Sequence, residues 1–299
     1  MKTKAILAAI TVGMTALSFF GCSADETKQD PPKADPPPAF EPGDLQQRTE
    51  LAAYPPGPYG IGKGSIIPNL SFIGYPNPLQ TAAKEDTKVI NLGDFYNPHG
   101  RDAAYVPASA EEDDRIFPKG SLYGEGKGKP TVLAIDVASV WCSPCKAEAQ
   151  CVLPVLQHRY EACGGGFLLQ LQDGPVYGKP ATPTNLYTWT VKTYKESFPA
   201  VIDPQGRLID TVATAAAFPQ NILIDTTTMQ IVEVIAGVPD AAYWKKYEKL
   251  LADPTCPAKQ STCESDSDCD TGKYCSTTCP SNPATCILKS CQSAGCKNQ

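Results

Sequence analysis

The chain has 299 residues, with 26 basic and 32 acidic side chains and a net charge of −6. This charge is mild and no basic stripe is visible, so we expect no nucleic-acid partner. Thirteen cysteines are too many for a reducing cytosol without metal, which points to an oxidising compartment. The length allows one or two domains with additional segments.

The N-terminus has the pattern of an export signal. Lys2 and Lys4 precede an apolar stretch, 5–20, that is short for a membrane span. The stretch is followed by Gly-Cys22, and a small residue before a cysteine at this position resembles the bacterial lipobox. The resemblance implies that Cys22 becomes a lipidated N-terminus. A plain signal peptide stays open, because Phe19 is atypical of the motif.

Residues 1–21 are therefore predicted to be a lipoprotein signal peptide. Ser23 follows the lipobox cysteine where some such proteins carry aspartate, which implies sorting to the outer membrane, on its periplasmic face or its surface. Residues 22–58 combine many prolines with charged side chains and few apolar ones. Such a composition buries no core and favours extended polyproline II, so we predict a disordered, semi-rigid tether.

The central motif is Trp141-Cys-Ser-Pro-Cys145. It follows an apolar, β-branched run at 131–137, as a buried parallel strand requires, and it precedes a helix-compatible run. A Cys-x-x-Cys at such a junction is the signature of a thioredoxin-like redox site. Backbone N–H groups and the helix dipole there stabilise a thiolate at Cys142. Cys145 is expected to lie one turn further in, less exposed, where it attacks a mixed disulfide.

Other elements surround this junction. Short strands at 71–75 and 88–92 are predicted to pair as an edge hairpin. The first helix is predicted from Pro144 to about Glu161, with a kink or restart near Pro154. The later predictions are a strand at 167–172, a helix at 185–197, a strand at 200–202, a hairpin of 221–224 with 231–235, and a helix at 240–252 that Asp240 caps. This alternation places a mixed sheet between helices.

The segment 254–299 has a different composition, with almost no aliphatic core. In an exported protein its cysteines predict a small disulfide-rich module whose connectivity cannot be sorted from sequence. Its eight cysteines are Cys256, Cys263, Cys269, Cys275, Cys279, Cys286, Cys291 and Cys296.

Two cysteines remain outside the predicted anchor, motif and tail, namely Cys151 and Cys163. They lie twelve residues apart on the predicted helix, and such a length of unbroken helix spans about 18 Å, which is beyond disulfide reach. They can pair only if the helix breaks near Pro154. Both outcomes stay open.

The segment Val140–Lys146 resembles the active site of thioredoxins, and more closely that of the bacterial TlpA/ResA-like thioredoxin family. Asp136, six residues before the first cysteine, is similar to the family's buried proton-accepting acid. Glu148, three residues after the second cysteine, is similar to an acid in the TlpA-like branch. The run Phe218–Asp225 resembles the cis-proline strand, which implies that Pro219 lies beside the cysteines.

This resemblance implies an α/β, thioredoxin-like fold over 59–253, with an N-terminal β extension and a thiol–disulfide oxidoreductase activity. It implies that Cys142 attacks a substrate disulfide and that Cys145 resolves the mixed disulfide. Asp136 would then accept or relay the proton of Cys145, and Glu148 would tune the potential of the pair. The residues expected to contact the substrate chain are Trp141, Phe218 and Pro219.

The expected partners are exported proteins with disulfides or dithiols, an unidentified electron donor, and the membrane through the acyl anchor. No cofactor and no metal is expected, since neither a second Cys-x-x-Cys nor a histidine pair lies near the first. Half of a zinc site and an inert structural disulfide are the other interpretations of the motif. The alternative function is a surface-displayed binding lipoprotein, in which the cysteine-rich tail binds a partner and the thioredoxin fold is a scaffold.

Overall fold

A computed structural model describes residues 54–60, 62–208, 217–256, 273–276 and 290–293. The predicted signal peptide, the lipidated Cys22 and nearly all of the tether lie outside the described residues, as do most of the tail cysteines. The predicted domain boundaries therefore stay predictions. Within the described ranges, no helix has the length and apolar character that crossing a membrane requires.

The main sheet has seven strands, and two further strands form a separate pair. The strands are β1 Ser71–Tyr75, β2 Lys88–Asn91, β3 Val132–Ser139, β4 Gly165–Asp173, β5 Ala200–Ile202, β6 Gln220–Asp225, β7 Gln230–Ala236, β8 Lys273–Ser276 and β9 Ser290–Ser293. The helices are α1 Ser143–Ala147, α2 Leu153–Tyr160, α3 Pro183–Tyr187 and α4 Ala241–Lys249, with π-helical segments at Glu148–Val152 and Thr188–Thr193 and 3₁₀ turns at Pro78–Gln80, Leu92–Phe95 and Glu161–Cys163.

The order across the main sheet is β2-β1-β5-β4-β3-β6-β7. Strands β3, β4 and β5 run parallel, whereas β6 is antiparallel to β3 and pairs with β7. All eight residues of β3 are buried, as expected for a central strand that is covered on both faces. Two helical crossovers, a closing antiparallel hairpin and a final helix make this a thioredoxin-like fold, which confirms the predicted fold class. The predicted N-terminal hairpin of β1 and β2 extends one edge.

Both long crossover helices contain a wider turn that the sequence did not predict. The first is helical from 143 to 160, but the π-helical segment Glu148–Val152 separates α1 from α2. Pro154 then lies in the first turn of α2, where its missing N–H needs no partner. The second helix was predicted at 185–197. In the structure it consists of α3 and the π-helical segment that follows, and it ends at Thr193. Lys195 follows in the left-handed region at φ 53°, which costs a non-glycine residue about 1–2 kcal/mol.

An aromatic cluster joins α4 to α2 and β4. The ring of Tyr247 lies 4.9 Å from Tyr160 and 5.6 Å from Phe167, between ring centroids. Arg159 pairs with Glu248 at 3.0 Å, which adds a polar contact beside the rings. The prediction that Asp240 caps the last helix is confirmed, since its carboxylate accepts from the Tyr243 N–H at 2.9 Å.

Cys151 and Cys163 do not pair with each other, which is one of the two outcomes that the sequence left open. Cys163, just after α2, is bonded to Cys256, just after α4, across 93 residues. One cysteine of the predicted tail, Cys256, is therefore bonded to the thioredoxin-like fold and not to another cysteine of the tail. The physical reason is that the ends of α2 and α4 meet when their aromatic faces pack. Cys151 is disulfide-bonded as well.

Candidate functional site

The Cys-x-x-Cys motif begins in the turn between β3 and α1. The N–H of Cys142 donates to the Ser139 carbonyl at 3.0 Å, which closes the turn after the strand. Cys142 is the N-cap residue of α1, and its Sγ accepts from the Cys145 N–H at 3.3 Å. The two cysteines form a disulfide with their Cα atoms 5.4 Å apart. The sulfur that caps the helix is therefore the one to which the N–H groups and the positive end of the helix dipole point.

A cis peptide bond between Phe218 and Pro219 lies against this sulfur. The Phe218 carbonyl oxygen is 3.4 Å from the Cys142 Sγ. The pairing of β6 with β3 explains the proximity, because it brings residues 76 positions apart in sequence to the same end of the sheet. The N–H of Gly237 donates to the Pro219 carbonyl at 2.7 Å and holds the bend against the end of β7.

Both sulfur-bearing residues are fully buried, at 0% exposure. The expectation that Cys142 is the more exposed of the two is therefore wrong for this disulfide form. In it, Cys142 packs against the cis peptide unit of Phe218 and Pro219. The Trp141 ring lies 5.6 Å from the Phe218 ring and 5.3 Å from that of Tyr177. Tyr177 itself is 54% exposed, so the contacting rings of Phe218, Trp141 and Tyr177 extend from the disulfide to the protein surface.

Asp173 fixes the position of Trp141. Its Oδ2 accepts from the Trp141 Nε1–H at 3.0 Å and from the Gly178 N–H at 2.9 Å. Its backbone carbonyl accepts from the Val140 N–H at 3.0 Å. One buried residue at the end of β4 thereby joins the motif turn to the loop that carries Tyr177.

Two buried acids lie on the elements that precede and follow the motif. Asp136 is on β3, is 3% exposed, and neither of its carboxyl oxygens has a hydrogen-bond partner among the described residues. Burial raises its pKa to about 7. Glu148 opens the first π-helical segment and is 1% exposed, with both oxygens likewise unpartnered. Burial raises the pKa of Glu148 well above its ordinary value, and the nearby charge of Asp136 raises it further.

A further buried acid, Glu196, was missed by the sequence analysis. It is 2% exposed, its Oε1 accepts from the Trp189 Nε1–H at 3.2 Å, and its Oε2 has no partner among the described residues. Burial raises its pKa to about 8, and the charge of Asp136 adds to the increase. The predicted helix 185–197 would have placed this residue on a regular turn, so no signal in the sequence separates it from a surface glutamate.

The predicted site residues thus fall into two groups. Trp141, Cys142, Cys145, Phe218 and Pro219 meet at the motif, whereas Asp136 and Glu148 form a buried acidic pair on the elements before and after it. In the described part of the chain, no group of three or more histidine, cysteine, aspartate or glutamate side chains is arranged to hold a metal ion.

No protein-family model matches the chain, and no curated protein matches it. Solved structures do match. One is an exposed lipoprotein thioredoxin from Streptococcus pneumoniae, with 13% identity, a TM-score of 0.35, and coverage of 61% of this chain and 99% of that one. A secreted thiol-disulfide isomerase from Corynebacterium glutamicum has 16% identity, a TM-score of 0.37 and coverage of 61% and 83%. A thiol-disulfide oxidoreductase from Bacteroides fragilis has 17% identity, a TM-score of 0.35 and coverage of 62% and 98%.

At these scores the fold assignment rests on this chain's own strand order and crossovers.

Proposed function

We propose that this protein is a thiol–disulfide oxidoreductase that exchanges disulfides with exported proteins through Cys142 and Cys145. The observation that carries the proposal is the capping sulfur of Cys142, which lies 3.4 Å from the carbonyl that precedes a cis proline, on a thioredoxin-like fold. Such a sulfur accepts hydrogen bonds from N–H groups at the start of the helix, which lowers the pKa of the thiol and favours the nucleophilic thiolate.

The first step begins from the reduced protein. The Cys142 thiolate attacks one sulfur of a substrate disulfide, which breaks that bond and forms a mixed disulfide between protein and substrate. One substrate thiolate leaves and takes a proton from water. Trp141, Phe218 and Pro219 contact the substrate chain at this stage, since the Phe218 carbonyl lies beside the Cys142 sulfur and the Trp141 and Phe218 rings pack on each other.

The second step resolves the mixed disulfide. The Cys145 thiol gives its proton to Asp136, whose pKa of about 7 suits it to accept one near neutral pH. The Cys145 thiolate then attacks the Cys142 sulfur, the bond from Cys142 to the substrate breaks, and the second substrate thiolate leaves with the proton that Asp136 held. The substrate has gained two electrons and two protons, and the protein holds the Cys142–Cys145 disulfide. The reverse sequence oxidises a substrate dithiol, and the potentials of the two couples set the direction. Glu148, electrostatically coupled to Asp136, tunes this potential.

Trapping the intermediate tests the proposal. Reduced Cys145→Ser protein mixed with insulin is expected to accumulate a covalent adduct through Cys142, at about tenfold or more above the native chain, because the resolving thiol is absent. A non-reducing gel measures the adduct, and dithiothreitol should release it. The matched control is the double variant in which Cys142 is also serine. An adduct of equal yield in the double variant, or none in either, contradicts the proposal.

Export and anchoring belong to the same proposal and are supported by the N-terminal pattern. The basic residues, the apolar stretch 5–20 and Cys22 suit a lipoprotein signal, and 22–58 suits a tether that holds the folded part off the outer membrane. Full chain expressed with radiolabelled palmitate is expected to carry the label, and Cys22→Ser is expected to lose it. Equal label in both chains would contradict lipidation at Cys22.

A further inference from the structure

An exposed apolar loop, 174–180, lies between β4 and α3. Within it Val176 is 60% exposed and Tyr177 is 54% exposed. Single apolar side chains on a protein surface need no explanation, but these two are adjacent in sequence, and the Tyr177 ring contacts that of Trp141. The exchange mechanism above uses Trp141 and leaves Val176 and Tyr177 without a role.

Hydrogen bonds hold this loop in one conformation. The Gly174 N–H donates to the Lys179 carbonyl at 2.7 Å, and the Lys179 N–H donates to the Val176 carbonyl at 3.1 Å. The Gly178 N–H donates to the Asp173 carboxylate at 2.9 Å. Gly178 has φ 68°, in the left-handed region that glycine adopts without strain. The loop therefore presents its apolar side chains in a fixed position, and little conformational entropy is lost when a partner binds them.

The loop lies at the same edge of the sheet as the cysteine pair. Because β3 and β4 are parallel neighbours, the turn that follows β3 and the loop that follows β4 are side by side. The Val140 N–H, in the turn before Cys142, donates to the Asp173 carbonyl at the end of β4, at 3.0 Å. The 174–180 loop therefore adjoins the redox motif through the backbone as well as through the aromatic rings.

Three aromatic rings connect the loop to the reacting sulfur. The Tyr177 ring lies 5.3 Å from the Trp141 ring, and the Trp141 ring lies 5.6 Å from the Phe218 ring, between centroids. The Phe218 carbonyl in turn lies 3.4 Å from the Cys142 Sγ. An extended chain advances about 3.3 Å per residue. A substrate chain that follows the rings therefore reaches Tyr177 within about three residues of its reacting cysteine.

The segments that surround the sulfur carry little charge. The motif turn 139–145, the 174–180 loop and the segment 217–219 contain one charged side chain among them, that of Lys179, whereas 19% of all residues in the chain are charged. A charged substrate side chain would lose hydration here and find few partners of opposite charge. The side chain that complements this surface is therefore apolar.

We propose that Val176 and Tyr177 are specificity-determining residues for the proposed exchange: they bind an apolar side chain about three residues from the reacting cysteine of an extended polypeptide substrate. The proposal rests on the proposed function and narrows its substrate class. Cysteines with apolar neighbours are mostly buried in folded proteins, so the favoured substrate is an exported chain that has not completed its folding. A disulfide in a polar surface loop of a folded protein offers Val176 and Tyr177 nothing apolar to bind.

The test uses short peptides of serine and glycine with one cysteine, which is held as a mixed disulfide with thionitrobenzoate. A phenylalanine stands three residues before the cysteine, three residues after it, or is absent. Attack of the reduced native chain through Cys142 on the peptide sulfur releases coloured thionitrobenzoate, and Cys145 then releases the peptide thiol. We expect kcat/KM to be about tenfold higher for one of the two phenylalanine peptides than for the peptide without it, chiefly through KM, because part of an aromatic side chain is buried.

Variants assign this preference to the loop. The double variant Val176→Ser with Tyr177→Ser is expected to lower the tenfold ratio to about one, and Tyr177→Phe should keep it, because the ring remains. The matched control is Val106→Ser, which removes an 83% exposed apolar side chain between β2 and β3 and should keep the ratio. A native ratio near one for both phenylalanine positions, or a ratio that survives in the double variant, overturns the proposal.

Ionic strength separates apolar binding from attraction to Lys179. The preference for phenylalanine is expected to be the same in about 0.05 M and about 0.5 M sodium chloride, because salt screens charges and not apolar contacts. A peptide with aspartate in place of the phenylalanine should gain no comparable advantage. An aspartate preference that disappears at high salt would overturn the assignment of the loop to an apolar side chain.

A second copy of this chain is another occupant that an apolar surface could accept. The native chain is expected to sediment as a monomer at the concentrations used in the peptide assay. A dimer that the double serine variant converts to a monomer would assign Val176 and Tyr177 to self-association and overturn the proposal.

Docking and exchange fail separately. Dye-labelled peptides with serine in place of cysteine cannot exchange, and their fluorescence anisotropy measures binding alone. If the phenylalanine peptide binds more tightly but insulin reduction does not depend on Cys142, the proposed function falls and the apolar docking surface stands. If insulin reduction depends on Cys142 and phenylalanine gives no preference in either assay, the role of Val176 and Tyr177 falls and the proposed function stands.

Discussion

Replacing Cys142 with serine is expected to bring insulin-disulfide reduction by the full chain down to the uncatalysed background. The expected loss is about 10³-fold or more, as for removal of a nucleophile in other enzymes. The physical reason is that a serine hydroxyl does not ionise near neutral pH, even where the Cys145 N–H and the helix dipole favour an anion. The measurement is the rate of insulin precipitation with dithiothreitol as the electron donor.

The control for this experiment is Glu111→Gln, which changes an exposed acid and should leave the rate unaltered. Circular dichroism would verify that the Cys142→Ser protein keeps the native fold. Full activity in Cys142→Ser would contradict the oxidoreductase proposal. It would favour the surface-displayed binding lipoprotein, in which the cysteine-rich tail does the work and the thioredoxin-like fold carries it.

The strands were predictable because their signals are local. The predicted strands at 71–75 and 200–202 have the bounds of β1 and β5, and the central run 131–137 overlaps β3. Short β-branched runs bounded by glycine, proline and asparagine define such strands without knowledge of their neighbours. The Cys-x-x-Cys motif is local too, so its place at the start of a helix was predictable from the strand-like run before it and the helix-compatible run after it.

The helix interruptions were not predictable in the same way. A π-helical turn is stabilised by what its side chains pack against. Glu148–Val152 lies within a sequence of ordinary helix propensity, and the β-branched residues of Thr188–Thr193 lower helix propensity without specifying a π-helical turn. The sequence suggested a break only at Pro154. Because the break after Thr193 was unforeseen, Glu196 was assigned to a continuous helix and its burial was missed.

The exposure of the sulfurs and the disulfide partner of Cys163 depend on contacts between distant segments. Cys142 is covered because β6 brings Phe218 beside it, and Cys163 meets Cys256 because α4 packs on α2. Counting cysteines along the chain could not reveal this second contact. The Cys163–Cys256 bond also cross-links the tail to the thioredoxin-like fold through the first cysteine of the tail.

Removing the Cys163–Cys256 bond is expected to lower the free energy of unfolding by about 4 kcal/mol, within a range of about 2–5 kcal/mol. The bond closes a loop with a sequence separation of 93, and a cross-link of that length restricts the unfolded chain far more than a short one. The variant to use is Cys163→Ala with Cys256→Ala, because a single replacement would leave a free thiol able to exchange with the other disulfides.

Urea denaturation of the oxidised proteins measures this effect. The expected result is a lower midpoint, with insulin reduction retained under native conditions, because neither cysteine lies at the Cys142–Cys145 junction. The aromatic faces of α2 and α4 pack on each other through Tyr160 and Tyr247, which are not part of the bond, so the double variant should still fold. A decrease of less than about 1 kcal/mol in the free energy of unfolding would contradict the prediction. It would mean that removing the bond does not increase the conformational entropy of the unfolded chain.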